Sequence, residues 1–271
     1  MSGNIDFFGL DIGSSGIRLV QLKGRGNVKE LKRFAYVPIE LNLSRSESPE
    51  DLNKLAGIIE DLVKKSGVST KNVAVGLYSQ KVFTTVFEMD KASKVDVANA
   101  IKFQADSIVP TPLALSKIDW AIIGDSPVNA NKIEVILSSV TNDYLESQLN
   151  MLESIGLNVV AFEPDTLSVP RALLNEKDTN TQVVLDFGSN STDLIIVRNG
   201  IPYLSRSIPM GSQIFIKSMM QNMNIDFNQA NQFLFKFGFE RDKLQGKIVN
   251  SIDYGMNSLI SEINKSIKFY M

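Results

Sequence analysis

Two stretches place an acid, a glycine and a run of small polar residues between apolar strands. The first reads Gly9-Leu10-Asp11-Ile12-Gly13-Ser14-Ser15-Gly16-Ile17-Arg18. The second reads Val184-Leu185-Asp186-Phe187-Gly188-Ser189-Asn190-Ser191-Thr192-Asp193. A glycine two residues after the acid lets backbone approach a bulky anion closely. Successive backbone N–H groups in such a turn form an anion-binding nest, and Ser, Thr and Asn add neutral donors. The Asp cannot touch a phosphate directly, because like charges repel. It can act through Mg²⁺ and the waters on it. One Asp-x-Gly turn is a common hairpin connection. Two, in opposite halves of one chain, could clamp a polyphosphate between them.

Composition narrows the remaining chemistry. The 271 residues include no His and no Cys. A Ser-His-Asp triad, a Cys nucleophile, disulfides and Cys/His metal sites are therefore excluded. The metal ligands that remain are oxygens, which suit Mg²⁺ or Ca²⁺. A net charge of −2 argues against nucleic acid as the main partner. No segment approaches the ~20 apolar residues of a membrane span. The first residues, Met-Ser-Gly-Asn-Ile-Asp, lack the basic and apolar regions of a signal peptide. A cytoplasmic location is expected.

Elements that could position the two turns follow from periodicity and punctuation. Ile5–Ile12 and Gly16–Lys23 read as a hairpin, with a third strand at Leu31–Val37 after a turn at Arg25-Gly26-Asn27. Ser48 caps a helix with Pro49 in its first turn, a Leu52/Leu55/Ile59/Leu62 stripe, and Gly67 at its end. Asn72–Leu77 is a buried strand. Residues 84–158 then read strand–helix–strand–strand–helix. The strands are Thr84–Met89, Ile118–Ile123 and Ile133–Val140. Ser93 caps the first helix, with Asp96 in its first turn, and Asn142 or Asp143 caps the second. Val97, Ile101, Ala105 and Ile108 share a face in the first; Leu145, Leu149, Leu152 and Ile155 share one in the second, which Gly156 ends. Gln182–Phe187 and Asp193–Arg198 flank the second polar turn, and Asn199-Gly200 leads into Ile201–Ser207. Asp226 caps a helix closed by Gly238, and a last helix carries Ile252, Met256, Leu259, Ile263 and Ile267.

The segments "FGLDIGSSGIRLVQL" and "VVLDFGSNSTDLIIVRNGIPYLSRSIP" resemble the two phosphate motifs of the actin/Hsp70/sugar-kinase superfamily. Within it the chain is most similar to the PilM family of type IV pilus assembly proteins, relatives of the division protein FtsA. "AIKFQADSIVP", "IDW", "MLESIGLNVVAFEPDTLSVPRAL", "NGIPYLSRSIPMG" and "EINKSIKFY" carry that similarity over nearly the whole chain.

The resemblance implies an α/β, actin-like (ribonuclease H-like) two-domain ATPase fold with an inserted small α+β subdomain. Residues 1–83 and 159–180 would form the first subdomain, 84–158 the insert, and 181–271 a second domain that ends early. It implies ATP and Mg²⁺ as cofactors. Asp11 and Asp186 would hold metal-bound waters. Gly13, Ser14 and Ser15, with Gly188, Ser189, Asn190 and Ser191, would face the phosphates. Glu163, in "FEP", would orient an attacking water; alternatively it is a solvated helix-entry residue. Arg18 stands where relatives often have Lys and is expected to pair on the surface. The family's A-E-x-x-K adenosine motif is matched by Ala230-Asn231-Gln232-Phe233-Leu234, without its charges, and its Gly-Gly adenosine turn has no counterpart. A fragment and a branch with weakened ATP binding both account for this.

The functional expectation is a nucleotide-responsive scaffold peripheral to the inner membrane. Its implied partner is the cytoplasmic tail of a bitopic PilN-like membrane protein, held between the first subdomain and the insert, with Phe103 or Ile101 lining that groove. Self-association is left open. A pure adaptor without ATP turnover is the alternative, and a small-molecule kinase is a third; as an enzyme the chain would be at most a slow ATPase. The polar face of the last helix, with Asn257, Glu262, Asn264 and Lys265, is not the basic stripe of a membrane-binding helix, so burial in the second domain is expected.

Overall fold

A computed structural model describes residues 6–24, 28–41, 43–91, 94–175 and 178–271, and all but 94–96 of these with their side chains. The expected turn at Arg25–Asn27, Ile5, the Ser93 cap and Asp96 lie outside the described residues or side chains. Two compact units divide the chain, residues 1–178 and 179–271.

The first unit is built on a five-stranded sheet. Strands β1 (Phe8–Ile12), β2 (Gly16–Lys23) and β3 (Glu30–Pro38) run antiparallel in sequence order. The chain then crosses over through α1 (Pro49–Ser66) to β4 (Asn72–Leu77), which pairs parallel with β1. Ser48 caps α1 by accepting the Asp51 N–H, and Gly67 ends it at φ 67°, a left-handed conformation that glycine adopts without a Cβ penalty. The Leu55/Ala56/Ile59/Leu62 stripe of α1 packs on Phe8, Leu10, Ile17, Leu19, Val73 and Val75. Alternation along these strands puts that set on one sheet face.

The insert follows β4. Strand β5 (Val82–Asp90), helix α2 (Lys94–Ile108), β6 (Ser116–Asp125) and β7 (Lys132–Thr141) form a separate three-stranded sheet in the order β5-β7-β6. Its core is its own: Val97, Ile101 and Ala105 from α2 meet Met89, Ile133, Val135 and Leu137. Ile101 is fully buried there and cannot line a groove, a correction to the sequence reading. Phe103, on another face of α2, is 83% exposed.

Helix α3 (Asn142–Ser154) begins after Thr141, which takes the cap position expected of Asn142 or Asp143, without a side-chain capping bond. Its buried residues are Gln148, Met151 and Leu152, shifted from the expected stripe toward a face that joins the core beneath α1. Gly156, at φ 77°, turns the chain into β8 (Asn158–Pro164). β8 pairs parallel with β4 and completes the sheet in the order β3-β2-β1-β4-β8. Helix α4 (Asp165–Leu173) contacts β4 and β8.

The second unit repeats the opening hairpin. β9 (Gln182–Phe187), β10 (Thr192–Arg198) and β11 (Ile201–Ile208) are antiparallel, and Asn199 and Gly200, at φ 52° and 75°, make the tight turn between β10 and β11. Three helices follow: α5 (Ser212–Met223), which the sequence reading did not resolve, α6 (Phe227–Phe237, capped by Asp226) and α7 (Lys247–Tyr270). Leu194, Ile196 and Ile208 pack against Phe215, Ile216, Met219, Ala230, Ile248, Ile252 and Leu259. The last helix therefore buries its apolar face in this unit. β9 is the terminal strand, so Leu185 is 47% exposed where its counterpart Leu10, flanked by β4, is 2% exposed.

A polar cluster surrounds the link from β4 to β5. Arg45 hydrogen-bonds the Tyr78 hydroxyl and lies over its ring, Lys81 pairs with Glu47 at 2.6 Å, and Lys81 also lies over the Tyr144 ring. Burial, then the Asp165 carboxylate, pushes the Tyr144 hydroxyl up to about 12. The neutral phenol is thus favoured in the folded chain. Its contribution is fully present below the unfolded tyrosine's ~10 and is lost as pH rises toward 12. Urea unfolding followed from pH 9 to 12 should show this loss, and Tyr144→Phe should reduce it by on the order of 2 kcal/mol.

Candidate functional site

Both polar turns close with the same main-chain hydrogen bond. The Gly13 N–H donates to the Gly16 carbonyl at 3.0 Å, and the Gly188 N–H donates to the Ser191 carbonyl at 2.9 Å. Each bond runs from the second to the fifth residue after the Asp. Neither glycine has a positive φ. Their requirement is space: a Cβ on Gly13 would sit 3.1 Å from the Gly16 carbonyl oxygen, and one on Gly188 would sit 3.0 Å from that of Ser191. Gly, then two small polar residues, is what this narrow loop admits.

The second turn is further fixed by α5. The Ser212 and Gln213 N–H groups donate to the Gly188 and Ser189 carbonyls, at 3.0 and 2.9 Å. Gly211 permits that approach, since a Cβ there would lie 2.5 Å from the Gly188 oxygen. Thr192 Oγ1 donates to the Met210 carbonyl at 2.7 Å, tying the strand after the turn to the same junction. Ser191 is buried and its carbonyl closes the loop, while Gly188, Ser189 and Asn190 are half-buried. Asn190 Nδ2 is buried with no hydrogen-bond acceptor. Buried donors are nearly always satisfied, so this one fits an anion placed against the loop.

In the first unit the candidate residues fall in one row. Register sets Tyr36 opposite Arg18, Arg18 opposite Asp11, and Gly76 opposite Glu163. Leu10 pairs with Val75, so the next position along β1 brings Asp11 level with Gly76. The row crosses the carboxyl ends of the parallel strands β1, β4 and β8, where open α/β sheets bind ligands. Arg18 Nη1 bonds Asp11 Oδ2 at 3.0 Å, and its guanidinium lies 5.5 Å from the Tyr36 ring centroid. Arg18 is thus a surface pair, as expected, but its partner is the very carboxylate assigned to the metal. Gly76 leaves a notch into which Asp165 reaches: a Cβ there would lie 2.5 Å from Asp165 Oδ1. At the end of the row both Glu163 oxygens are held by the two terminal nitrogens of Arg171, from the last turn of α4. This bond, with the charge of Glu163, raises the Arg171 guanidinium above its ordinary value. Sequence reasoning did not find Arg171.

The donors fit a phosphate. Direct metal chelation fits less well, because no group of three acidic side chains converges among the described residues. Asp11 and Asp186 lie in different units. A metal would be addressed through water by Asp11 or Asp186 and would supply charge screening for the phosphate.

An α/β first unit of this strand order and a second that repeats its Asp-Gly hairpin define an actin-like fold. Solved structures agree. The type IV pilus biogenesis PilM–PilN complex matches with a TM-score of 0.80 at 22% identity, over 99% of this chain and 78% of that one. The ethanolamine utilization protein EutJ from Carboxydothermus hydrogenoformans matches at TM-score 0.55 and 15% identity, over 99% and 74%. MreB5 of Spiroplasma citri bound to AMPPNP matches at TM-score 0.54 and 12% identity, over 98% and 79%. The family model for type IV pilus assembly protein PilM matches residues 9–271. The chain belongs to the PilM family.

The α5 junction yields a test. Gly211→Ala should push α5 off the second turn and destabilise the protein by roughly 1–3 kcal/mol, the usual cost of overpacking. Thermal melts would show it as a lowered Tm, whereas Gly57→Ala, where a Cβ meets nothing within 4 Å, should not lower it.

Proposed function

We propose that this chain is an actin-like, nucleotide-binding scaffold of type IV pilus assembly. It binds Mg·ATP weakly, mainly through the phosphates. Gly13, Ser14 and Ser15, and Gly188, Ser189, Asn190 and Ser191, supply the loops. Asp11 and Asp186 address the metal through water. The observation that carries this reading is the identical closing bond of the two turns, one in each unit. MreB5, whose structure holds AMPPNP, supports it at the level of the fold. When bound, the metal would screen phosphate charge. The chain's own part is to aim backbone N–H groups and Asn190 at the anion.

The partner is the cytoplasmic tail of a PilN-like inner-membrane protein, by analogy with the PilM–PilN complex. The protein is then cytoplasmic and reaches the membrane through that partner. No helix among the described residues is long and apolar enough to cross a membrane. We place the tail in the cleft between the first sheet and the insert. Of the insert strands, β7 is paired on both sides, so main-chain pairing with a peptide falls to the edge strands β5 or β6. The insert proper runs from β5 to β7, because the buried face of α3 belongs to the first core.

The second reading, an adaptor that holds nucleotide without turning it over, is favoured by one observation: Arg18 and Arg171 occupy Asp11 and Glu163.

Saturating Mg·ATP, at about 100 times its Kd, should add ~2.7 kcal/mol and raise Tm by roughly 5–10 °C. Asp11→Ala should remove most of that shift. Because Asn231 and Leu234 stand at the adenosine motif, GTP should compete within about tenfold of ATP. A synthetic partner tail should bind the whole chain with micromolar Kd by calorimetry. No shift with nucleotide would remove the ATP reading, and no tail binding would remove the scaffold reading.

A further inference from the structure

The carboxylate positioned to orient water is not free to do so. Both oxygens of Glu163 are taken by Arg171, in a fork-on-carboxylate geometry that fixes direction as well as charge. The Glu163 side chain is 30% exposed and that of Arg171 61%, so water reaches the pair without separating it. The arrangement is built by the backbone. Glu163 is the penultimate residue of β8, and α4 starts two residues later, at Asp165. Pro164 between them fixes the entry angle of the helix, and Arg171 comes from its last turn. Across the notch at Gly76, Asp11 accepts a single bond from Arg18 Nη1, at 3.0 Å on Oδ2. Asp11 and Glu163 thus lie between two arginines, Arg18 toward one end of the row and Arg171 at the other.

We infer that Arg171 is a positioning residue that withholds Glu163 from water, so that a polyphosphate bound at the first turn is retained rather than hydrolysed. This inference rests on the nucleotide reading above. Release of Glu163 supplies what hydrolysis needs from this chain. The water oxygen bonds to the γ-phosphorus as the bond to the β–γ bridging oxygen breaks. ADP leaves with that electron pair. Glu163 accepts the water proton, which ends on the released phosphate. With Arg171 in place, one lone pair on each Glu163 oxygen is engaged and the carboxylate is held facing the guanidinium.

The position of Arg171 also explains why release should leave binding intact. Arg171 lies beyond Glu163, at the end of the row away from Asp11 and the first turn. Its removal takes no donor from Gly13, Ser14 or Ser15. A change in turnover without a change in affinity is the signature that separates withholding from a merely structural ion pair.

The test compares the whole chain with Arg171→Gln, Arg171→Lys, Glu163→Gln and the double variant Arg171→Gln/Glu163→Gln. Phosphate release from Mg·ATP gives kcat, and displacement of a fluorescent ADP analogue gives Kd. Arg171→Gln should raise kcat at least tenfold with Kd unchanged within about twofold. Arg171→Lys, which keeps the charge but not the fork, should give a smaller rise. The double variant should return to the level of the unaltered chain. Equal kcat in Arg171→Gln with nucleotide bound would overturn the inference alone, as would a rise that persists in the double variant. No displacement in any variant would overturn the nucleotide reading and the inference with it. Circular dichroism and the Kd itself show whether each variant is folded.

Discussion

The hydrogen bond from Gly13 N–H to the Gly16 carbonyl, repeated from Gly188 to Ser191, governs what surrounds it. It crosses a narrow loop, and a Cβ on the donor residue would lie only 3.0–3.1 Å from the acceptor oxygen, tighter than ordinary contact. That tightness favours glycine at the donor position, and the closed turn sets the register of the hairpin behind it. In the first unit register then decides which side chains meet. With the turn closed at Gly13–Gly16, Asp11 must face Arg18, and Arg18 must face Tyr36. In the second unit the loop carbonyls are used again, as acceptors for the first N–H groups of α5. One turn thus organises a hairpin in one half and a strand–helix junction in the other.

The two units solve the same packing problem to different extents. β1 is flanked by β2 and β4 and roofed by α1 and α3, so its apolar residues are shut off from water. β9 has β10 on one side only, and Val183, Leu185 and Phe187 remain 44–47% exposed. Part of that surface is recovered by ring contact, since Phe187 stacks on Phe215 with centroids 5.8 Å apart. The charge row of the first unit is a comparable economy. Exposed pairs contribute little to stability individually, on the order of 0–1 kcal/mol. Their effect here is on the availability of Asp11 and Glu163, which is a matter of chemistry rather than of folding.

Much of this could be read before any coordinates. Local signals carried the hairpins, because Asp-x-Gly and Asn199-Gly200 demand particular backbone paths. They also carried the Ser48 and Asp226 caps, because a side-chain oxygen over the first turn is a short-range event. The Asp11–Arg18 pair was derivable too, once the loop was fixed. The Glu163–Arg171 pair was not. It depends on how α4 folds back over β8, and no spacing rule encodes that. The stripe on α3 was legible only in part: Leu152 is buried and Ile155 packs against the first core, as the spacing implied, but Gln148 and Met151 are buried there as well, which depends on what the helix packs against. Ile101 was assigned to a groove by position in the chain, whereas its burial depends on the strands that close over it.

The pairing of β4 with β8 has a consequence for the order in which the chain folds. Asn72 meets Asn158 across the whole length of the insert. Closing so long a loop by chance is entropically slow. The insert shortens the search, because Val82 pairs with Val140 and its entry and exit are thereby held side by side. Once β5 and β7 have joined, the chain from β4 to β8 behaves as a short connection through α3. Forming the small sheet first lowers the entropic cost of completing the large one. A lesion in the insert core, which draws no residue from β1 or β8, would slow completion of the first sheet.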